Sequence, residues 1–446
     1  MRILFLEIDT ERTWCVASLG PAFIAAYLRR FGHEVASLRV TIDMTAAEVV
    51  DAVCARNPDL LGVSLTTRQW HRARAIFAAI RRDIDISVVA GGLHPTFSAE
   101  EVLREPGIDY ACLGEGEMPM RDLVEALARG DTVRDGQIQN VWVKHGTRPD
   151  LRPPFEPLDD LPVMARDLLD EKHGVIHMTT QRGCPFPCTY CGARMYNQLY
   201  QGNGNYGRRR SHRNVLDELT AVRDQGPLNY VIFLDDTFTI HHSWVKAFCP
   251  LYRQEIGVPF SLHARVETIN EELIDCLARA GCAHITYGVE SGSERIRRQV
   301  MKRPVTNEQM IQAFRWTRAA GILATANYML GLPEETAEEL QQTIDLHEQL
   351  QPDDFGYFVF YPYPGTHLFQ YCRDKGYLAD GYQDLPAVHS QSILNLPTLT
   401  KEQIREAYNR WTKIRVAHTL KRYGPEFAQQ HQEQTAAAIE ACAASG

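Results

Sequence analysis

The feature that most constrains the fold is a regular alternation of strand and helix signals in two separate parts of the chain. In the first part, apolar runs bounded by turn residues predict strands at 2–7, 34–39, 60–65, 86–90 and 109–113. Amphipathic stretches predict helices at 19–31, 46–56, 71–81, 99–104 and 118–128. Strands joined by short helical crossovers form a doubly wound parallel sheet, which binds ligands at the carboxyl ends of its strands.

The second alternation begins after a proline-rich stretch. It predicts strands at 175–180, 230–234, 260–264, 284–289, 324–330 and 355–360. Helices are predicted between them at 214–225, 271–280, 308–320 and 336–350. Six strands are too few for a closed eight-stranded barrel, so we expect a curved and partly open barrel with its chemistry at the carboxyl ends of the strands.

These patterns divide the chain into four parts. Residues 1–135 form the Rossmann-like domain and residues 173–366 the partial barrel. Between them, residues 136–172 read as an extended linker because prolines crowd there and restrict the backbone. The last part, residues 367–446, is helical up to about 420 and then rich in Gln and Ala from Gln429. We expect its helical block, with Trp411, Arg415 and Arg422, to close the barrel mouth.

Composition excludes several classes of protein. The net charge is -9 without a long basic run, which disfavours sequence-independent nucleic-acid binding. No apolar run approaches the 18 residues or so that a membrane span needs. The N-terminal apolar run is short and followed by acidic residues, unlike a secretory signal, so we expect a cytoplasmic protein. Eleven cysteines, an odd and scattered set, do not suggest a disulfide framework.

Three cysteines depart from this scatter. Cys184, Cys188 and Cys191 lie within eight residues, directly after the first strand of the predicted barrel. Three thiolates at this spacing can each bind one iron of a [4Fe–4S] cluster, which leaves the fourth iron without a protein ligand. Most electron carriers use four cysteines, so three indicate chemistry at the cluster. Tyr190 places an aromatic ring beside it.

Zinc and incidental clustering are the alternative interpretations of this loop. A structural zinc site normally draws four ligands, commonly from two Cys-x-x-Cys pairs or from Cys/His sets. Only one such pair is present in the loop, and no second pair follows at the spacing of a zinc finger. The pattern therefore favours an iron–sulfur site.

With this loop in place, the chain resembles radical S-adenosylmethionine (SAM) enzymes that carry an N-terminal cobalamin-binding domain. The resemblance covers residues 2–365. It implies that the open iron is chelated by the amino and carboxylate groups of SAM. An electron from the cluster then cleaves SAM to methionine and a 5'-deoxyadenosyl radical, while the protein positions and shields the cofactors.

Further segments match the same family. Asp235 and Asp236 end the second strand, where the resemblance implies a carboxylate on the SAM amino group, although a strand end or helix cap is the structural alternative. Arg265 is implied to hold the SAM carboxylate, or else to form a structural ion pair. The resemblance also assigns the ribose to Glu290 and Ser291, and the border of the adenine to the segment around Gly331.

The first domain departs from the family pattern at one point. Cobalamin-binding domains often carry Asp-x-His-x-x-Gly after the first strand, but residues 7–14 lack it and no histidine precedes His33. A histidine ligand to cobalt is therefore not expected. Other cofactor-binding elements remain and follow the third, fourth and fifth strands: Ser64, Thr66, Gly91, Gly92, His94, Gly114 and Glu115. The alternative is a domain that keeps the fold without the cofactor.

The resemblance implies methyl transfer from cobalamin to an unactivated carbon of a natural-product or cofactor-like small molecule. Its motifs also fit cyclisation, rearrangement or aminocarboxypropyl transfer without bound cobalamin. A plain radical SAM oxidoreductase and, in a different class, a cobalamin- or SAM-responsive sensor remain open. The expected partners are the substrate and a flavodoxin- or ferredoxin-like reductant, with no nucleic acid.

Overall fold

The structure, a computed structural model, describes residues 1–10, 18–169, 171–385, 388, 390–424, 427 and 429. Positions 11–14 of the segment that replaces the histidine motif, and most of the Gln- and Ala-rich tail, lie outside these residues. By its internal packing the chain divides into two compact units. Unit 1 comprises Met1–Glu171 and Met195–Arg208, and unit 2 comprises Lys172–Arg194 and the chain from Arg209 onward.

Unit 1 is built on a six-stranded sheet. Its strands are β1 (Arg2–Ile8), β2 (Glu34–Val40), β3 (Leu60–Ser64), β4 (Val88–Gly91), β5 (Tyr110–Cys112) and β6 (Val141–Val143). The order is β2-β1-β3-β4-β5-β6, parallel except for β6, which runs antiparallel to β5. The direction of winding reverses between β1 and β3, so the ligand-binding crevice of a doubly wound sheet is expected at their carboxyl ends.

Helices cover both faces of this sheet. They are α1 (Leu19–Arg29), α2 (Ala46–Arg56), α3 (Thr67–Asp83), α4 (Leu93–Phe97), α5 (Ala99–Arg104) and α6 (Glu117–Ala128). In β1, Leu4 and Leu6 belong to one hydrophobic core, whereas Ile3 and Phe5 belong to another. Successive residues of a strand point to opposite faces, so a strand that is apolar throughout is the expected signature of a sheet covered on both sides.

The segment expected to be a linker contributes to unit 1 instead. It supplies β6, and Ile138, Val141 and Ala165 join the core on one face of the sheet. The Ala165 nitrogen also donates to the Ala22 carbonyl at 3.1 Å. The prolines restrict the backbone, as expected, but apolar residues on either side of them pack into the core of unit 1.

Unit 2 has a parallel sheet of six strands with two open ends. These strands are β7 (Val175–Met178), β10 (Tyr230–Phe233), β11 (Phe260–Ala264), β12 (Cys282–Glu290), β13 (Leu323–Leu330) and β14 (Asp354–Val359), and the two-residue strands β8 (Gln181–Arg182) and β9 (Arg208–Arg209) lie outside the sheet. The order β7-β10-β11-β12-β13-β14 follows the chain, as in a barrel. The sequence prediction of an open six-stranded barrel is thus confirmed.

The helices of unit 2 follow its strands. They are α8 (His212–Gln225), α9 (His242–Glu255), α10 (Glu271–Ala280), α11 (Asn307–Ala319), α12 (Ala337–Leu350), α13 (His367–Asp374) and α14 (Lys401–Tyr423), while α7 (Gly192–Leu199) begins in unit 2 and ends in unit 1. Ile296–Val300 forms a π-helical turn, and 3-10 turns lie at Phe238–Ile240, Val266–Thr268 and Tyr382–Asp384. Among the described residues, no helix is both long and apolar enough to cross a membrane.

Helix α14 does not close the barrel mouth, contrary to the expectation from the sequence. Trp411 is fully buried, and its ring packs 4.6 Å from Tyr328 and 5.1 Å from His347. Asn327 faces the barrel cavity, so its neighbour Tyr328 faces outward, and α14 therefore lies on the outer side of β13 and β14. Near its C-terminus, Arg422 donates to Asp353 at 3.2 Å.

Candidate active site

The three clustered cysteines line a single cavity of unit 2. The loop that carries them leaves β8 at Gly183, whose φ of +86° favours glycine, and ends where α7 begins at Gly192. Cys184 and Cys188 are buried and Cys191 is half-buried. All three border a cavity of about 270 Å³ at the carboxyl ends of the strands. The structure thus brings together the three cysteines that the sequence singled out.

A buried aspartate fixes the start of this loop. Asp235 accepts hydrogen bonds from the backbone nitrogens of Thr180 at 2.8 Å and Gln181 at 2.9 Å, and from the Thr180 hydroxyl at 3.0 Å. Burial raises the pKa of Asp235 to about 6, although these hydrogen bonds oppose the shift. Asp235 is not among the residues lining the cavity. Its place indicates a role in positioning the cysteine loop, the structural alternative considered above.

Asp236, the next residue, does line the cavity. No hydrogen bond to its carboxylate is found among the described residues. Asp236 is exposed to solvent, and desolvation by the protein around its carboxyl raises the pKa of that group. A free acidic group beside the cysteines is suited to a ligand ammonium group.

Glu290 reaches the cavity from the end of β12. Its φ is +70°, and the pairing of β12 with β13 shifts register between Gly288 and Glu290. A positive φ at a non-glycine residue is strained, and such strain clusters at ligand sites. The Tyr190 hydroxyl donates to the Glu290 carboxylate at 3.4 Å, as does Arg303. Burial, the largest influence, raises the pKa of Glu290, while Arg303 opposes the shift.

Ser291 and Gly331 are placed differently from the other predicted residues, since neither lines the cavity. The Ser291 hydroxyl accepts from the Ser293 nitrogen at 3.2 Å inside a buried turn. Gly331 has a φ of +73°, and its nitrogen donates to Glu335 at 2.7 Å. The structure shows both residues shaping the loops that follow their strands.

The sequence analysis missed several residues of the cavity wall. They are Phe186, His263, Thr286, Asn327 and Arg303. Successive residues of a strand point to opposite faces, so His263, Thr286 and Asn327, which follow a buried apolar residue in β11, β12 and β13, could have been proposed as inward-facing from the strand period. Arg303 follows the π-helical turn, and the sequence around it contains no motif or strand pattern that indicates a cavity residue.

The donor set fits a cluster rather than one ion. Among the described residues, no three His, Cys, Asp or Glu side chains are grouped so as to hold a single metal ion. Three cysteines that each bind a different iron need not converge in this way. Burial raises the pKa of the Cys191 thiol to about 12 and also raises that of Cys184, so metal binding must displace their protons.

In unit 1, the predicted residues collect at the carboxyl ends of β3, β4 and β5. Ser64 and Gly91 are paired in register in adjacent strands. Gly92 has a φ of +94°, and a side chain there would come within 2.8 Å of the Ser64 hydroxyl and the Leu65 nitrogen. Thr66 caps α3, with its backbone nitrogen donating to Gln69 at 2.8 Å. The strand ends thus form a compact, glycine-containing edge.

His94 is almost fully buried at this edge. Its ring lies 5.0 Å from that of Trp70, and its Nδ1 lies 3.3 Å from the Thr67 hydroxyl. Its Nε2 is buried without a hydrogen-bond partner among the described residues. Burial lowers the pKa of His94 to about 4, so the imidazole is neutral at pH 7. In this structure His94 therefore packs as a neutral, buried group beside the two glycines.

Gly114 and Glu115 are held by the segment 195–208. Gly114 has a φ of +73°, and an added Cβ would overlap the Tyr200 hydroxyl. That hydroxyl accepts a hydrogen bond from the Glu115 nitrogen at 2.9 Å. The Glu115 carboxylate forms a buried ion pair with Arg208 and accepts from the Phe155 nitrogen at 2.8 Å. Both predicted residues are therefore engaged by protein groups of unit 1.

Comparison with known proteins shows which families share this architecture. A model of the radical SAM superfamily matches residues 178–347, and a model of the B12 binding domain matches residues 10–124. An uncharacterized methyltransferase of Pyrococcus horikoshii is 30% identical over 434 residues, which cover 92% of each chain. The anaerobic magnesium-protoporphyrin IX monomethyl ester cyclase of Rubrivivax gelatinosus is 29% identical over 84% of this chain and 70% of its own.

A solved structure shares the fold. The radical SAM methyltransferase TsrM of Kitasatospora setae, with cobalamin and a [4Fe–4S] cluster bound, superimposes with a TM-score of 0.70. Its sequence identity is 20%, and the match covers 84% of this chain and 75% of TsrM. At this identity the likeness establishes the architecture.

The chain belongs to the radical SAM superfamily, in the branch whose members carry an N-terminal B12-binding domain. It is an enzyme, and its cofactors are a [4Fe–4S] cluster, SAM and cobalamin. The predicted family, fold class and cofactors are confirmed.

Proposed function

We propose that this enzyme is a cobalamin-dependent C-methyltransferase that acts on an unactivated carbon of a small natural-product or cofactor-like molecule. The observation that carries the proposal is one cavity in which three cysteines meet a free carboxylate, in a chain that also contains a B12-binding unit. When bound, the cluster and SAM supply a carbon radical, and cobalamin supplies a methyl carrier. The name of the Pyrococcus horikoshii relative supports methyl transfer.

We assign different roles to the cavity residues in binding the cluster and SAM. Cys184, Cys188 and Cys191 would each bind one iron. Asp236 would hold the ammonium group of SAM, because its carboxylate faces the cavity without a partner of its own among the described residues. Glu290 would contact the ribose. Ser291 and Gly331 would act through the shape of their loops.

The test is anaerobic reconstitution followed by product analysis. With SAM, cobalamin and a chemical reductant, the protein should bind about four irons and one cobalamin per chain. It should also form both 5'-deoxyadenosine and S-adenosylhomocysteine. Replacing the three cluster cysteines with Ala should abolish SAM cleavage, whereas Cys276→Ala, on α10, should retain it. Cleavage without S-adenosylhomocysteine would instead favour the ring closure named for the Rubrivivax gelatinosus relative.

Reduction of the cluster requires an electron donor, and we propose an acidic flavodoxin- or ferredoxin-like protein in a shared cytoplasm. Two basic residues lie next to the cysteine loop, although the chain as a whole has a net charge of -9. Arg194 donates to the Pro187 carbonyl at 2.9 Å, and Thr189 is hydrogen-bonded to Met301, next to the exposed Lys302. Positive charge beside the cluster is complementary to an acidic donor.

Charge reversal tests this surface. Arg194→Glu and Lys302→Glu should slow reduction by an acidic flavodoxin and remove most of its salt dependence. Reduction by dithionite should be unchanged. Lys413→Glu on α14 is the control, and an equal effect of that variant would contradict the proposed surface.

A further inference from the structure

The guanidinium group of Arg265 packs directly against the cysteine loop. Its Nη1 donates to the Cys188 sulfur at 2.8 Å, and its central carbon lies 3.9 Å from the centre of the Phe186 ring. Arg265 is 9% exposed, so both contacts are shielded from water. A charged donor on a thiolate is a strong hydrogen bond, and cation–π contact with Phe186 fixes its direction.

A second pair of charges holds this guanidinium in place. Glu267 accepts from Arg265 Nη2 at 2.5 Å, and from Arg303 through two nitrogens, each at 3.1 Å. Arg303 is 1% exposed. Burial opposes ionisation of Glu267, but Arg303 and Arg265 lower the pKa of that carboxyl to about 2. Glu267 is therefore ionised near neutral pH and bridges the two arginines.

The hydrogen bond from Arg265 goes to Cys188. The Cys184 sulfur lies 3.8 Å from the neutral Thr237 hydroxyl, whereas Cys188 receives a cation. Hydrogen bonds to ligating sulfurs and nearby charges are among the factors that set the reduction potential of an iron–sulfur cluster. A cation next to a sulfur stabilises the reduced cluster, because the reduced form carries one more negative charge.

We propose that Arg265 is a positioning residue that raises the reduction potential of the cluster through Cys188, and that Glu267 and Arg303 hold it there. The inference rests on the proposed cluster. The resemblance to the family had assigned Arg265 to the SAM carboxylate. In this structure Nη1 and Nη2 are both engaged, and Nε is buried without a partner among the described residues. A carboxylate would have to compete with Glu267 for the same nitrogens.

The test is the midpoint potential of the reconstituted cluster in the full-length protein, measured without SAM by an anaerobic titration that follows the reduced cluster's paramagnetic signal. Arg265→Gln should lower the potential. The ratio of reduced to oxidised cluster at a fixed potential should fall about tenfold, equivalent to ~59 mV for a one-electron couple. Arg298→Gln, an exposed residue on the π-helical turn, should leave the potential unchanged.

A second variant should shift the midpoint potential in the opposite direction. Glu267→Gln keeps an oxygen that accepts from Arg265 but removes a negative charge, so the potential should rise. If Arg265→Gln loses its iron, the test depends on Glu267→Gln. A midpoint potential that does not rise in Glu267→Gln would then overturn the inference. Unchanged potential with weaker SAM binding in Arg265→Gln would also overturn it and return Arg265 to the SAM carboxylate. Failure of the wild-type protein to bind iron would instead count against the proposed function.

Discussion

Asp235 accepts two hydrogen bonds from Thr180, one from the backbone nitrogen at 2.8 Å and one from the hydroxyl at 3.0 Å. These hydrogen bonds connect the residues that follow β10 to those that precede the cysteine loop. Asp235→Asn would place an amide group where the structure needs an acceptor. We expect a loss of about 1–3 kcal/mol in the free energy of unfolding, together with poor retention of iron. Denaturant unfolding and iron analysis of the reconstituted variant measure both effects.

The adjacent Asp236→Asn variant should behave in the opposite way. Its carboxylate faces the cavity and supports no loop, so stability and iron content should be unchanged. Loss of its charge should weaken SAM binding by about tenfold, the effect of one charge-assisted hydrogen bond. Calorimetric titration with SAM checks this. Iron loss here, or unaltered SAM affinity, would show that the roles of the two aspartates are assigned incorrectly.

We expect the ionisation of Glu335 to contribute to the pH dependence of the free energy of unfolding. This residue is fully buried, and desolvation raises its pKa from 4.5 to about 8. Between these values the folded chain holds a proton that the unfolded chain has released, so the contribution of Glu335 to stability is greatest below pH 4.5 and falls as pH rises. The slope is ~1.4 kcal/mol per pH unit, and it vanishes above about pH 8.

Glu335→Gln should flatten this slope, because the amide has no proton to lose. Denaturant unfolding at pH 5, 6, 7 and 8 measures the difference between the variant and the wild type. Glu338→Gln, an exposed residue in the first turn of α12 and three positions along the chain, is the matched control and should retain the wild-type slope. Identical slopes for the two variants would show that Glu335 is already ionised in the folded protein.

We expect that position 114 must be glycine because the Tyr200 hydroxyl occupies the place of a Cβ atom there. Gly114→Ala adds the cost of a positive φ, roughly 1 kcal/mol, and an overlap with the Tyr200 hydroxyl. Gly130 has a φ of +77° with no atom near the position of a Cβ, so Gly130→Ala should show only the backbone cost. Tyr200→Phe should partly rescue Gly114→Ala. Additive effects on the thermal midpoint in this double variant would exclude the overlap as the cause.

Bound cobalamin should lack a histidine ligand. The imidazole of His94 is neutral, but its Nε2 is covered by protein and cannot reach a metal without a rearrangement. The paramagnetic spectrum of the Co(II) form should therefore show no splitting from an axial nitrogen, in the wild type and in His94→Gln alike. Splitting that disappears in the variant would identify His94 as the ligand.

Much of the fold was predictable because its signals are local. Apolar runs set the strands of both sheets, and the spacing of three cysteines located the cavity. The strand β6 was missed because a strand of three residues is too short to show an alternation. Glu267 and Arg303 were missed for a different reason. Their partnership joins two turns 36 positions apart, and neither residue belongs to a recognisable motif.

The segment 195–208 has a consequence for how this protein can be divided or recombined. Unit 1 is completed by residues that follow the cysteine loop in the sequence, so neither unit is encoded by one uninterrupted stretch of gene. A cut within the proline-rich stretch would leave the N-terminal fragment without Tyr200 and Arg208, the partners of Glu115. The two halves are therefore not interchangeable cassettes. A hybrid enzyme that exchanges its B12-binding half must exchange this second segment with it.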